Sequence, residues 1–159
     1  MKRFRFFYNE YRERLFAYLL KMTGDYHLSA DIMQESFTRY MERYKNRSHS
    51  ASLLFAIGRN LVIDHARRRN TRASYGDFTL NSPQADQEQA LMVRERYRQV
   101  LAGMQQLPQK ERDTLALVVS SDLPYAKIAE ITGTSEANVK VMVHRARVKL
   151  RRILQAGES

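Results

Sequence analysis

The sequence predicts an all-α protein: two small helical domains joined by a flexible linker, the C-terminal one containing a helix-turn-helix. Three observations carry this. Apolar residues recur at three- and four-residue steps along most of the chain, the period of one helix face. No stretch keeps the period of two that a half-buried strand requires. One segment, Ala73 to Pro83, has neither period and is rich in turn formers, which marks a linker.

The elements follow in order. Phe4, Tyr8, Tyr11, Leu15, Tyr18, Leu19 and Met22 form one helical stripe, and Gly24-Asp25 ends it. A second helix runs from about Leu28 to Tyr44, with Met33, Phe37, Tyr40 and Tyr44 on its apolar side. The polar loop Lys45 to Ser50 follows, and Ser50 or Ser52 can cap a third helix over about 51–70. That helix is expected to bury Leu54, Ile57, Leu61 and His65 or its neighbours. Beyond the linker, about 86–105 is helical through Leu91, Val100, Leu101 and Met104. Leu107-Pro108 breaks it, with Pro108 suited to the first turn of the next helix, which carries Leu115, Leu117, Val118 and Val119. Leu123-Pro124, a short helix over 125–132, a turn at Gly133-Thr134 and a long helix over about 136–154 complete the chain. The expected domains are 1–72 and 88–159, with the linker over 73–87.

Composition narrows the function. The 159 residues hold 27 Lys+Arg against 17 Asp+Glu, a formal net charge of +10. Residues 1–72 are net +8, residues 73–88 net −3 and residues 89–159 net +5. Two basic segments around a mildly acidic linker suit a polyanionic partner, nucleic acid before a membrane surface. Extended, the linker reaches about 50 Å, or about 15 base pairs of duplex, so two lobes could touch two separated DNA sites. With no cysteine there is neither a disulfide framework nor a thiolate zinc site. Apolar runs such as Leu53 to Gly58 are far shorter than the roughly 20 residues of a spanning helix, and the basic start Met1 to Phe7 develops no signal-peptide core. A cytoplasmic protein with no membrane insertion is expected. A nucleophile–base pair, a phosphate-cradling glycine loop and metal-ligand spacing are all missing, and His27, His49, His65 and His144 are scattered. Neither enzymatic activity nor a cofactor is expected.

Two segments carry nucleic-acid chemistry. Tyr125 to Leu150 has the form of a helix-turn-helix: small Ala129 for close crossing, Gly133 for a positive φ in the turn, and Val139 to pin the second helix. Ser135 is the expected N-cap. Val139, Val143, Ala146, Leu150 and Ile153 make a buried stripe, while Lys140, His144, Arg147 and Arg151 make a separate basic one, flanked by Arg145, Lys149 and Arg152. A recognition helix needs this division between a face held by its domain and a face offered to the groove. The third helix shows Arg59, Asn60, Ile63 and Arg67 on its polar side and ends in Arg67-Arg68-Arg69. Asparagine can read a base edge, and arginine suits phosphate. Phe55 with the loop 45–52 could receive an unstacked base, although spacing alone favours Phe55 as core.

Ser29 to Phe37 (SADIMQESF) resembles the A-E-D-hydrophobic-hydrophobic-Q-E-x-F helix of sigma factors of bacterial RNA polymerase. Leu54 to Arg68 (LFAIGRNLVIDHARR) resembles the family's I-A-R-N-x-x-I-D-x-x-R-R helix. Leu107 to Arg112 and the helix-turn-helix, with Val139-Lys140 and His144 to Arg147, resemble its DNA-binding C-terminal domain. The motifs occur in the family's order over nearly the whole chain, and the short length with one linker points to the extracytoplasmic-function group. The resemblance implies that Asp31, Gln34 and Glu35 dock on the large catalytic subunits of core RNA polymerase. It implies that Arg59, Asn60, Ile63, Arg67 and Arg68 bind the melted −10 element of promoter DNA. It assigns Ser135, Glu136, Asn138, Lys140, Val141, His144, Arg145 and Arg147 to the −35 element. It also implies an inhibitory anti-sigma factor. Ala30, Leu53 and Met142 depart from the family pattern, where an acid, a tryptophan and an arginine are usual. The alternative is a stand-alone helix-turn-helix regulator, which explains the C-terminal half and leaves the motifs at 29–37 and 54–68 without a role.

Overall fold

A computed structural model describes residues 2–44, 49–70 and 88–157. The expected linker over 73–87 and most of the loop before the third helix lie outside the described residues. Among the described residues there are seven α-helices and no strand: α1 (Lys2–Thr23), α2 (Tyr26–Tyr44), α3 (Ala51–Asn70), α4 (Glu88–Gln105), α5 (Gln109–Ser120), α6 (Tyr125–Thr132) and α7 (Glu136–Gly157).

Local chemistry sets the boundaries. α1 stops where Gly24 takes φ 67° and its N–H bonds the Leu20 carbonyl at 2.8 Å. α2 starts two residues before the expected Leu28, because the Asp25 carboxylate accepts the Leu28 N–H at 3.0 Å and caps the first turn. Ser50 caps α3 through its hydroxyl on the Leu53 N–H at 3.4 Å, and its own N–H is held by the Tyr40 hydroxyl at 2.7 Å. Pro108 stands at the N-cap of α5, one place before the expected first turn, and its carbonyl accepts the Arg112 N–H at 2.9 Å.

The periodic residues fill the core. Leu15, Tyr18, Leu19, Phe37, Tyr40, Leu54 and Phe55 are buried among α1, α2 and α3. Leu101, Met104, Leu117, Ile128 and Val139 are buried among α4 to α7. Leu54, Ile57 and Leu61 of α3 are buried as expected, whereas His65 is exposed and Val62 is buried in addition. The two helical groups share one continuous apolar cluster. α4 and α5 pack on α1, and α6 packs on α3.

Polar groups stitch that junction. The last carbonyls of a helix lack partners within it. Here Gln105 donates to the Lys21 carbonyl at 2.8 Å and Arg112 to the Met22 carbonyl at 3.3 Å, so side chains of the C-terminal group cap α1. Arg112 also donates to the carbonyls of Met104, Gln105 and Leu107, closing the bend between α4 and α5.

Candidate nucleic-acid interface

The helix-turn-helix is built by its turn. Gly133 adopts φ 71°, ψ 37°, a left-handed conformation that costs a residue with a Cβ more than it costs glycine. The Thr134 N–H then reaches back to the Ala129 carbonyl at 2.9 Å, which closes α6. Ser135 caps α7 through its hydroxyl on the Asn138 N–H at 3.1 Å. The Asn138 amide donates to the Thr134 hydroxyl at 2.7 Å, which orients it at the mouth of the helix. Glu136 lies exposed in the first turn, where the helix dipole favours a negative charge.

The faces of α7 divide as expected. Val139, Val143 and Ala146 are buried, with Leu150 and Ile153 packed against the same cluster. Lys140, His144, Arg145, Arg147 and Arg151 are all exposed, and Val141 lies among them at 44% exposure. Lys149 differs. It was expected to flank the basic stripe, but its ammonium sits 2.9 Å from the Glu111 carboxylate of α5, which is buried. Spacing on α7 alone could not show this partner.

On α3, Asn60 is exposed and Ile63 half-buried. Arg67 and Arg68 are exposed and share Asp64, at 2.6 and 3.3 Å. Arg59 is not offered to solvent in the manner of its neighbours. Its Nε bonds Asp113 of α5 at 2.5 Å, and an Nη donates to the Ile131 carbonyl at the end of α6 at 3.3 Å. The other Asp113 oxygen accepts the Tyr18 hydroxyl at 2.7 Å. Burial, then the Asp113 charge and this bond, push the Tyr18 phenol well above the usual tyrosine range, while Arg59 pulls the other way. Tyr18 is thereby kept a donor.

Phe55 is fully buried and edge-on to Tyr18, so it is core and cannot receive a base. An unforeseen aromatic surface lies instead between α1 and the loop. Phe6 is 72% exposed, and a groove of about 460 Å³ runs past Arg3, Phe6, Tyr11 and His49. The His49 ring stacks on Phe7 at 4.9 Å, and its Nδ1 is buried without a hydrogen-bond partner among the described residues. Only Phe6, out of phase with the α1 stripe, could have signalled this groove in the sequence.

On α2, Asp31, Gln34 and Glu35 are exposed together, opposite buried Ile32, Ser36 and Phe37. Glu35 pairs with Arg39 at 2.7 Å, and Gln34 donates to the Tyr8 hydroxyl at 3.4 Å. Leu53 is exposed at the start of α3, and Met142 lines a cleft with Arg59 and Asn138. No group of His, Asp or Glu suited to a metal occurs among the described residues, and no described helix is long and apolar enough to cross a membrane.

Residues 7–72 match the family model "Sigma-70 region 2", and residues 95–150 match "Sigma-70, region 4". The chain is 31% identical over 153 residues to the ECF RNA polymerase sigma factor SigM of Bacillus subtilis, covering 94% of each chain. It is 29% identical over 143 residues to the ECF RNA polymerase sigma factor EcfG of Rhodopseudomonas palustris, covering 87% of this chain and 77% of the relative. Its fold resembles that of the sigma factor RpoE of Bartonella quintana, solved in complex with the anti-sigma factor NepR. There the TM-score is 0.79 at 19% identity, over 98% of both chains.

Proposed function

The chain belongs to the sigma-70 family of RNA polymerase sigma factors, in its extracytoplasmic-function group, and from that premise we propose how its residues divide the work. As a sigma factor it binds core RNA polymerase and directs initiation at promoters carrying −10 and −35 elements. It acts in the cytoplasm by binding and has no catalytic step of its own.

The 88–159 domain reads the −35 duplex. The division of α7 carries this assignment: a buried Val139-Val143-Ala146 stripe fixes the helix, and an exposed Lys140-His144-Arg147 stripe faces out. Asn138 and Val141 reach base edges near the helix start, with Ser135 and Glu136 shaping that end. Arg145 and Arg147 hold phosphates, which sets position and salt dependence but not sequence. The 1–72 domain engages the melted −10 strand through α3. Asn60 reads a base, Ile63 gives apolar contact, and Arg59, Arg67 and Arg68 meet the backbone. The groove beside Phe6 and His49 offers an aromatic face for an unstacked base. Asp31, Gln34 and Glu35 form the docking face for core polymerase. An anti-sigma factor is the third partner, in keeping with the complex in which the similar RpoE fold was solved.

The test is reconstitution. The purified chain is mixed with bacterial core RNA polymerase and transcription is mapped on a genomic promoter library, with Asp31→Arg beside it. Discrete start sites that vanish in the variant are expected. Core binding without promoter-dependent transcripts would refute the assignment. A two-fold footprint on duplex DNA without polymerase would favour the stand-alone regulator.

A further inference from the structure

We infer that the free chain is self-inhibited by a buried latch in which Asp113 of α5 captures Arg59 of the −10 helix and Tyr18 of α1, so that the strand-binding face of α3, whose Asn60, Arg67 and Arg68 are already exposed, gains Arg59 only after the two helical groups separate. The inference rests on the −10 role proposed for α3.

Three features build the latch. Asp113 is almost fully buried, and each of its oxygens has its own donor from the N-terminal group, Tyr18 on one and Arg59 on the other. A carboxylate this deep would be costly unless so satisfied. Arg59 is further held by the Ile131 carbonyl, which ties α3 to the end of the first helix of the helix-turn-helix. Lastly, a polar cleft of about 190 Å³ is lined by Arg59 and Asp113 together with Lys110, Thr134, Asn138 and Met142, so the start of the recognition helix faces the −10 helix.

The closed form therefore uses for its own packing a cation meant for the promoter strand. It also brings the −10 and −35 readers side by side, whereas their targets on a promoter are separated along the DNA. The exposed stripe Lys140-His144-Arg147 stays free in the closed form, so the latch guards −10 engagement specifically. A chain whose binding-competent state is a small fraction has its apparent affinity lowered by that fraction. Opening costs the two Asp113 bonds, the Gln105 and Arg112 caps on α1 and the apolar contact between the groups.

Asp113→Asn and Tyr18→Phe weaken the latch without touching a proposed DNA contact. Small-angle scattering reads the conformation, and anisotropy of a fluorescein-labelled 12-nucleotide DNA single strand of mixed sequence reads the −10 face. A compact chain of this length has a radius of gyration of about 15 Å. Asp113→Asn should enlarge it toward about 20 Å and tighten strand binding about tenfold. Tyr18→Phe should move both in the same direction by less. The charge exchange Arg59→Asp with Asp113→Arg should restore the compact radius. A helical, compact Asp113→Asn chain with unchanged strand affinity would overturn the latch. If that variant unfolds, Tyr18→Phe decides by the same two readouts. Opening without tighter binding would overturn the guarding role. Arg59→Gln placed on Asp113→Asn separates the readings: no loss of strand affinity there refutes the −10 contact of Arg59, while the scattering result still judges the latch.

Discussion

Arg147 and Lys149 lie two residues apart on one helix, carry the same charge, and should behave oppositely when neutralised. Arg147 is exposed and has no ion-pair partner among the described residues. Lys149 is bound at 2.9 Å to Glu111, whose side chain is 8% exposed against 45% for the lysine. If Arg147 meets a phosphate, Arg147→Gln removes one contact. The slope of log K against log salt for −35 duplex binding then falls in magnitude by about 0.9, with little change in stability. Lys149→Gln removes a charge already compensated within the protein, so the slope stays, but Glu111 is stranded. Breaking a fully buried pair costs about 3–5 kcal/mol. Half-exposure of the lysine reduces this to about 1–2 kcal/mol. One Glu111 oxygen already lacks a partner, which leaves the carboxylate little with which to compensate. For a chain of this size the loss corresponds to a Tm lower by about 2–8 °C. Salt titrations of duplex binding and thermal unfolding measure the two effects. An unchanged slope for Arg147→Gln, or a reduced slope with unchanged Tm for Lys149→Gln, would refute the division of α7.

Three further outcomes are expected. Gly133→Ala should cost about 1 kcal/mol in urea unfolding through backbone strain alone, because a Cβ there meets nothing within 4 Å; Gly133→Asn should cost less, since asparagine tolerates this conformation. The Tyr18 phenol has a raised folded pKa, so its contribution to stability is complete below the ordinary tyrosine value of about 10 and is lost as pH climbs through the folded value. Alkaline loss of the compact form by scattering should therefore shrink in Tyr18→Phe, and an identical pH profile would refute that cause. Asn60→Ala should alter base preference at one −10 position in transcription from a randomised −10 library, whereas an unchanged preference would remove Asn60 as a reader.

Much of this fold is legible because periodicity reports which side of a helix is buried. Val139, Val143 and Ala146 cannot face solvent without breaking the α7 stripe, and Gly133 followed by Ser135 allows few structures other than a tight turn into a new helix. Phe55 obeyed the same rule, and its spacing was the better guide than its aromatic chemistry. What spacing does not encode is the partner of a polar residue. Lys149 lies beside the basic stripe in sequence, and only the approach of α5 converts it from a DNA-facing charge to a structural one. α3 shows the same limit. Asn60, Arg67 and Arg68 are exposed where the sequence places them, but Arg59, one residue from Asn60, is turned inward by a carboxylate 54 residues away.

Asp113 explains why the junction of the two groups was invisible in sequence. A charged residue beside Arg112 at the start of an amphipathic helix reads as surface. Its burial is tolerable only because Tyr18 and Arg59 arrive together from two helices of the other group. Separate the two groups and Asp113 would lie in water at little cost; Tyr18 would lose its acceptor, and the end of α1 would lose its two side-chain caps. The polar groups at this junction are therefore satisfied in the closed form and can be satisfied by water in the open one, whereas the apolar core within each group has no such alternative. The apolar contacts that the two groups share are lost as well, but each group keeps the buried residues within it, so separation costs less than unfolding either group. Scattering along a urea titration should accordingly show the radius of gyration rising before helical circular dichroism is lost, and a single coincident transition would show that the two groups open only by unfolding.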